Sequence, residues 1–139
     1  MRSALIDTNI VSSLFAYSNP NFDSCKRIIG TRLPLVSFMT QAEILLWPKA
    51  NRWGDRREQE LLNHLGRFTT LYPDDRTFDL WTVVKTLSKR RGRPIETADA
   101  WIAATALQFE IPLITLNHRD FNFIDDLELI LVHDPSPNS

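Results

Sequence analysis

Short apolar runs separated by stretches of helical periodicity constrain this chain more than any other feature. Ala4-Leu5-Ile6 is the first run; residues 34–38, 111–116 and 129–132 follow, and 69–72 add a shorter one. Runs of this length read as buried strands. Helical patterns lie between them. One passes through Ile10, Leu14 and Tyr17, and a second covers 22–29. Thr40-Gln41-Ala42-Glu43 has the form of a capping box and predicts a helix that Pro48 kinks or ends. Asp55 opens another, with Leu61, Leu62, Leu65 and Phe68 on one face. The next begins at Asp74-Asp75 and ends in Lys89-Arg90-Arg91, acid first and base last, as the helix dipole favours. Gly92 and Pro94 interrupt the chain before a helix over 97–108. Strands alternating with helices predict an α/β fold with a parallel sheet and helices on both faces. Such sheets bind ligands at the carboxyl ends of their strands.

The 139 residues suit one domain, expected over 1–132, with 133–139 as a flexible tail rich in proline and small polar residues. At 43% hydrophobic and 24% charged, the composition excludes a disordered or fibrous chain. Basic and acidic residues balance, 16 against 17, so binding nucleic acid by bulk charge is disfavoured and local basic patches remain. The single cysteine, Cys25, rules out an intramolecular disulfide and a thiolate-rich zinc site. His64, His118 and His133 are scattered, so a metal is expected on oxygen ligands, which selects Mg²⁺ or Mn²⁺. No apolar run approaches the ~20 residues of a membrane span. The charge at Asp7 comes too early for the apolar region of a signal peptide, and a cytoplasmic location is expected.

The informative carboxylates sit where strands end or helices begin. Asp7 directly follows the first strand, either as a helix N-cap or as a functional acid. Position 9 is Asn, which does not suit a haloacid-dehalogenase-type phosphatase, and a lone acid does not suit a response-regulator receiver. Neither a Gly-x-x-x-x-Gly-Lys-Ser/Thr loop nor a Gly-x-Gly-x-x-Gly turn is present. Glu43 is the third residue of the Thr40 capping box, a role compatible with a second one in a site. Asp99 is the only charge in the apolar helix over 97–108, and a carboxylate there needs a partner, a hydrogen bond or a metal. Asn117 and Asp120 follow the strand over 111–116. Acids gathered on one sheet rim repel unless cations neutralise them, and a metal held there activates water for phosphodiester hydrolysis.

These segments resemble the PIN-domain nucleases, in particular the VapC-type toxins of VapBC toxin–antitoxin modules. The matching stretches are Ala4-Leu5-Ile6-Asp7-Thr8-Asn9, residues 36–43, Asp99-Ala100-Trp101-Ile102 continuing to Leu107, and residues 113–121. The resemblance implies a five-stranded parallel sheet and Mg²⁺- or Mn²⁺-dependent endoribonuclease activity. It places the three metal-binding, catalytic acids on Asp7, Glu43 and Asp99, and the hydroxyl that organises the first acid on Thr8. The fourth acidic position falls on Asn117, an uncharged acceptor, with Asp120 three residues later. Glu96, one turn before Asp99, is an auxiliary acid or a dipole partner.

RNA binding needs phosphate contacts. Arg90, Arg91 and Arg93 are the candidates, beside the Asp99 helix; the cluster from Lys49 to Arg57 adds Trp53 as a candidate base-stacking residue. The resemblance also implies a small antitoxin partner and a homodimer. Leu14, Phe15, Tyr17, Phe22, Trp47 and Trp53 are the expected interface residues, since early helices in so short a chain cannot bury them all. A nuclease of RNA maturation without an antitoxin, and a domain that only binds a partner, remain as other readings.

Overall fold

The computed structural model describes residues 2–132, and the tail expected over 133–139 lies outside them. The chain runs β1 (Ser3–Ile6), α1 (Thr8–Ser13), α2 (Phe22–Ile29), β2 (Leu33–Ser37), α3 (Phe38–Ala50), α4 (Asp55–Leu65) and β3 (Thr69–Leu71). It continues through α5 (Asp75–Arg90), α6 (Thr97–Phe109), β4 (Leu113–Thr115), α7 (His118–Phe121) and β5 (Leu129–Leu131). The five strands form one parallel sheet in the order β3-β2-β1-β4-β5. Strand order reverses between β1 and β4, and the crevice beyond their carboxyl ends is where such a fold binds ligands.

Alternation along the strands supplies both layers of the core. Leu5, Leu35 and Leu113 pack on one face with Val84, Ile102 and Phe121. Ala4, Ile6, Val36 and Ile114 pack on the other with Ile10, Ile44 and Leu61. α6 lies under the first face as anticipated, with Ala100, Ile102, Ala103 and Ala104 fully buried. α5 starts where expected, and a capping box holds its start: Asp74 accepts from the backbone N–H groups of Arg76 and Thr77, and the Thr77 hydroxyl accepts from Asp74 N.

Three local expectations are corrected. The helix after β1 stops at Ser13 instead of running through Tyr17. The Ser12 and Ser13 hydroxyls both donate to the Asn9 carbonyl, a local bond that competes with the helical ladder. α3 starts at Phe38 with Ser37 as its N-cap, accepting from Met39 N at 2.9 Å, so Thr40 is no cap and Glu43 no member of a capping box. β2 stays paired to β3 up to Ser37, which fixes the helix start one turn before Thr40. Pro48 lies inside α3 and neither ends it nor leaves the core, because the helix has only two residues left to run.

Candidate active site

Asp7 leaves β1 at the reversal of strand order, and its backbone N–H donates to the Ile114 carbonyl of β4 at 3.0 Å. Its carboxylate is almost fully buried and held by three donors. Oδ1 accepts from Thr8 N at 2.7 Å; Oδ2 accepts from Thr115 Oγ1 at 2.7 Å and from Asn9 Nδ2 at 3.2 Å. Asn9 also accepts from Leu116 N at 3.3 Å, so it bridges the ends of β1 and β4. Burial nevertheless pushes the Asp7 carboxyl up to about 6; the Thr115 and Thr8 bonds pull down, and the charges of Glu43 and Asp120 push up.

Glu43 projects from α3 and accepts from Thr8 Oγ1 at 2.8 Å. The Thr8 hydroxyl therefore organises Glu43, while its backbone N–H serves Asp7. The expectation that this hydroxyl orders the first acid is corrected in that respect, because the Asp7 oxygens are already supplied by backbone and strand-end donors. Asp99 stands in the first turn of α6, half-buried. Burial comes first in pushing it up to about 7, followed by the charges of Asp7, Asp120, Glu43 and Glu96. These acids thus share one field, as their positions in sequence suggested.

Asn117 and Asp120, the candidates for the fourth position, both belong to the α7 segment. Asn117 is the N-cap of α7 without a side-chain bond to it, and its backbone N–H donates to Thr115 Oγ1 at 2.9 Å. Asp120 carries the charge felt by both Asp7 and Asp99. A single helical turn has little stability of its own. The fully buried Phe121 side chain anchors it, a contribution of roughly 1.5–3 kcal/mol, and so places Asp120. Glu96 precedes α6 as an exposed N-cap with no capping bond. Two positioning residues, Asn9 and Thr115, escaped the sequence reading. Their signals were modest: a polar residue completing Asp7-Thr8-Asn9, and a lone hydroxyl ending an apolar strand.

Two arginines of the basic run are bonded to the segment around Asp120. Arg91 donates to the Phe123 carbonyl at 2.8 Å and forms a two-pronged bond with Asp125 at 2.6 and 3.2 Å. Arg93 donates to the Arg119 carbonyl and to Asn122 Oδ1, each at 2.7 Å. Together they fasten the α5–α6 connection to the segment bearing Asp120. Arg90 is exposed at the end of α5. Trp53 is corrected as a free base-stacking residue: Phe15 stacks on it at 5.9 Å and the Arg57 guanidinium lies 3.8 Å from its ring centre. Leu14, Phe15, Trp47 and Trp53 pack against the chain's own core, which leaves the half-buried Phe22 and the exposed Tyr17, 4.8 Å apart, from the expected interface group.

A five-stranded parallel sheet with interacting acids at the carboxyl ends of its strands, where strand order reverses, defines a class of α/β proteins. Residues 4–127 match the PIN domain, and the chain belongs to the PIN-domain family. It is 30% identical over 128 residues to Ribonuclease VapC1 of Haemophilus influenzae strain R2866, covering 89% of this chain and 93% of that protein. Among solved structures, VapBC-1 from nontypeable Haemophilus influenzae shares 28% identity with a TM-score of 0.73, covering 92% of this chain and 96% of that one. VapBC2 from Rickettsia felis, bound to a DNA fragment from its promoter, matches with a TM-score of 0.81 at 18% identity, over 94% of this chain and 98% of that one, a likeness of fold.

Proposed function

We propose that this protein is an endoribonuclease that hydrolyses RNA phosphodiester bonds with Mg²⁺ or Mn²⁺, and that it acts as the toxin of a toxin–antitoxin pair. One observation carries the chemistry: burial first, and then the charges of neighbouring acids that include Glu43 and Asp120, push the Asp7 and Asp99 carboxyls up to about 6 and about 7. Carboxyls perturbed by burial and by neighbouring charge cluster at functional sites. The donor set is all oxygen, which fits a hard divalent cation. Among the described residues no three His, Cys, Asp or Glu side chains are already grouped to hold a metal ion.

Asp7, Glu43 and Asp99 would hold the cation, and Asp120 would add negative potential from α7. When bound, the cation supplies charge neutralisation at the phosphate and a nucleophilic water at neutral pH. The protein's part is orientation. Three donors fix the Asp7 carboxylate, and Thr8 fixes one oxygen of Glu43. Arg90, Arg91 and Arg93 would meet RNA phosphates flanking the crevice, Arg91 and Arg93 by exchanging or sharing their present partners.

The relatives named VapBC are toxin–antitoxin complexes, and they support a small antitoxin as partner. A groove of about 1030 Å³ lined by Phe15, Tyr17, Phe22, Lys26, Arg57 and His64 offers apolar and cationic contacts for it. The antitoxin would silence the enzyme by placing a basic side chain among the acids. A homodimer belongs to the same proposal. No helix among the described residues is long and apolar enough to cross a membrane, consistent with action in the cytoplasm. Brief induction in cells, with mapping of new RNA ends, tests the proposal. Cleavage at defined sites is expected from the wild type and not from Asp99→Ala, and co-expression of a cognate antitoxin should abolish it. Identical RNA ends from both proteins would overturn the nuclease reading.

A further inference from the structure

We infer that Thr40 is a positioning residue for the acid crevice, acting through Thr8 on Glu43. The inference rests on the nuclease reading for its consequence, but not for its geometry. Thr40 is completely buried in the first turn of α3, where Ser37 already serves as the cap. Its hydroxyl lies 2.9 Å from Thr8 Oγ1. A threonine hydroxyl has one hydrogen, and that of Thr8 goes to Glu43 Oε1 at 2.8 Å. The bond between the two hydroxyls therefore runs from Thr40 to Thr8. The result is a directed chain, Thr40 to Thr8 to Glu43, that begins at a buried hydroxyl and ends on a carboxylate.

Thr40 and Glu43 stand three residues apart on α3 and so share a face. They hold the Thr8 hydroxyl between them, locking α1 to α3 at the crevice. Donation by Thr40 leaves Thr8 only its own hydrogen to direct, and Glu43 is the acceptor within reach. Each bond polarises the next, which strengthens the last one to Glu43. Without the Thr40 hydroxyl the rotamer of Thr8 is no longer determined, and Glu43 loses its fixed oxygen. Outer partners of this kind typically govern metal affinity by 10-fold or more.

The test compares Thr40→Val, which keeps the shape and removes the hydroxyl, with Thr40→Ser, which keeps the hydroxyl. Crystal structures of the wild type and Thr40→Val read the geometry directly, whether or not RNA is cleaved. Glu43 should leave Thr8 in the valine variant and keep it in the serine variant. Calorimetric titration with Mn²⁺ should show affinity weakened about 10-fold in Thr40→Val and restored to within about twofold in Thr40→Ser. RNA cleavage should lose kcat by a similar factor with KM unchanged. The double variant Thr8→Val/Thr40→Val should bind Mn²⁺ no more weakly than Thr8→Val alone, because Thr40 works only through Thr8. An unmoved Glu43 in Thr40→Val, or additive losses in the double variant, would overturn the inference. Equal damage from serine and valine would assign the role to packing and overturn it too. A wild type that neither binds Mn²⁺ nor cleaves RNA would instead refute the nuclease reading, while the crystal structures would still decide the chain of hydroxyls.

Discussion

Replacing Asp99 by asparagine should stabilise the metal-free protein above neutral pH, the reverse of most substitutions in a core helix. Its carboxyl is pushed up from 3.8 to about 7 by burial and by the neighbouring acids. Each unit corresponds to about 1.4 kcal/mol, so ionising Asp99 in a fully desolvated site would cost ~4 kcal/mol. Asp99 is only half-buried, and solvent screening brings this to ~2 kcal/mol. The dipole of α6 favours an acid in its first turn by about 0.3–1 kcal/mol, so repulsion wins. Between the unfolded value of 3.8 and the folded value of about 7, the folded chain binds more protons than the unfolded chain. Wild-type stability therefore falls as pH rises through that window, and the penalty is complete above it. Asp99→Asn escapes the penalty. Its advantage should be near zero at about pH 4 and should reach roughly 6–10 °C in Tm at about pH 8. Thermal unfolding in EDTA at both pH values measures it. Saturating Mn²⁺ should then close or reverse the gap, because it binds the wild-type crevice more tightly. A variant less stable than the wild type in EDTA at pH 8 would refute the reasoning and make the Asp99 carboxylate a structural contact.

Two further predictions concern groups around the crevice. Burial holds the His64 imidazole below its ordinary value despite its bond to the Val11 carbonyl. Its contribution is present above pH 6.5 and is lost as pH falls below it, so His64→Gln should flatten the acid side of the Tm profile; an unchanged slope would clear His64 of that role. Arg93→Ala should speed hydrogen exchange at the amides of Asp120 and Asn122 with little change in Tm, because its bonds to Arg119 and Asn122 hold that segment; unaltered exchange there would show the clamp to be idle.

Much of the fold was legible because strands buried on both faces leave nearly continuous apolar runs, as in Ala4-Leu5-Ile6 and Leu113-Ile114. The parallel sheet and the start of α5 near Asp74 followed from local pattern alone. The start of α3 was not legible, since Ser37 and Thr40 both suit an N-cap and only pairing with β3 decides between them. α7 was missed because one turn has no periodicity to read. In the candidate site, Asp7, Glu43 and Asp99 were noticed at strand ends and helix starts, and the family resemblance assigned them their roles. The duties of Asn9, Thr40 and Thr115 did not, because each depends on a partner brought near only by folding. The arginines show the converse: a cationic run suggests phosphate contacts, yet Arg91 and Arg93 also spend their hydrogen bonds on the α7 segment.

The central claim is that RNA is cleaved at the crevice built around Asp7. The most direct test incubates purified wild type and Asp7→Asn, prepared in parallel, with a structured RNA in Mn²⁺ and in EDTA. The account predicts cleavage by the wild type in Mn²⁺, none in EDTA, restoration when Mn²⁺ is returned in excess, and at least a 100-fold loss, about 2.7 kcal/mol or more of transition-state stabilisation, in Asp7→Asn. Cleavage of the same bonds at the same rate by Asp7→Asn, or undiminished cleavage in EDTA, would contradict it.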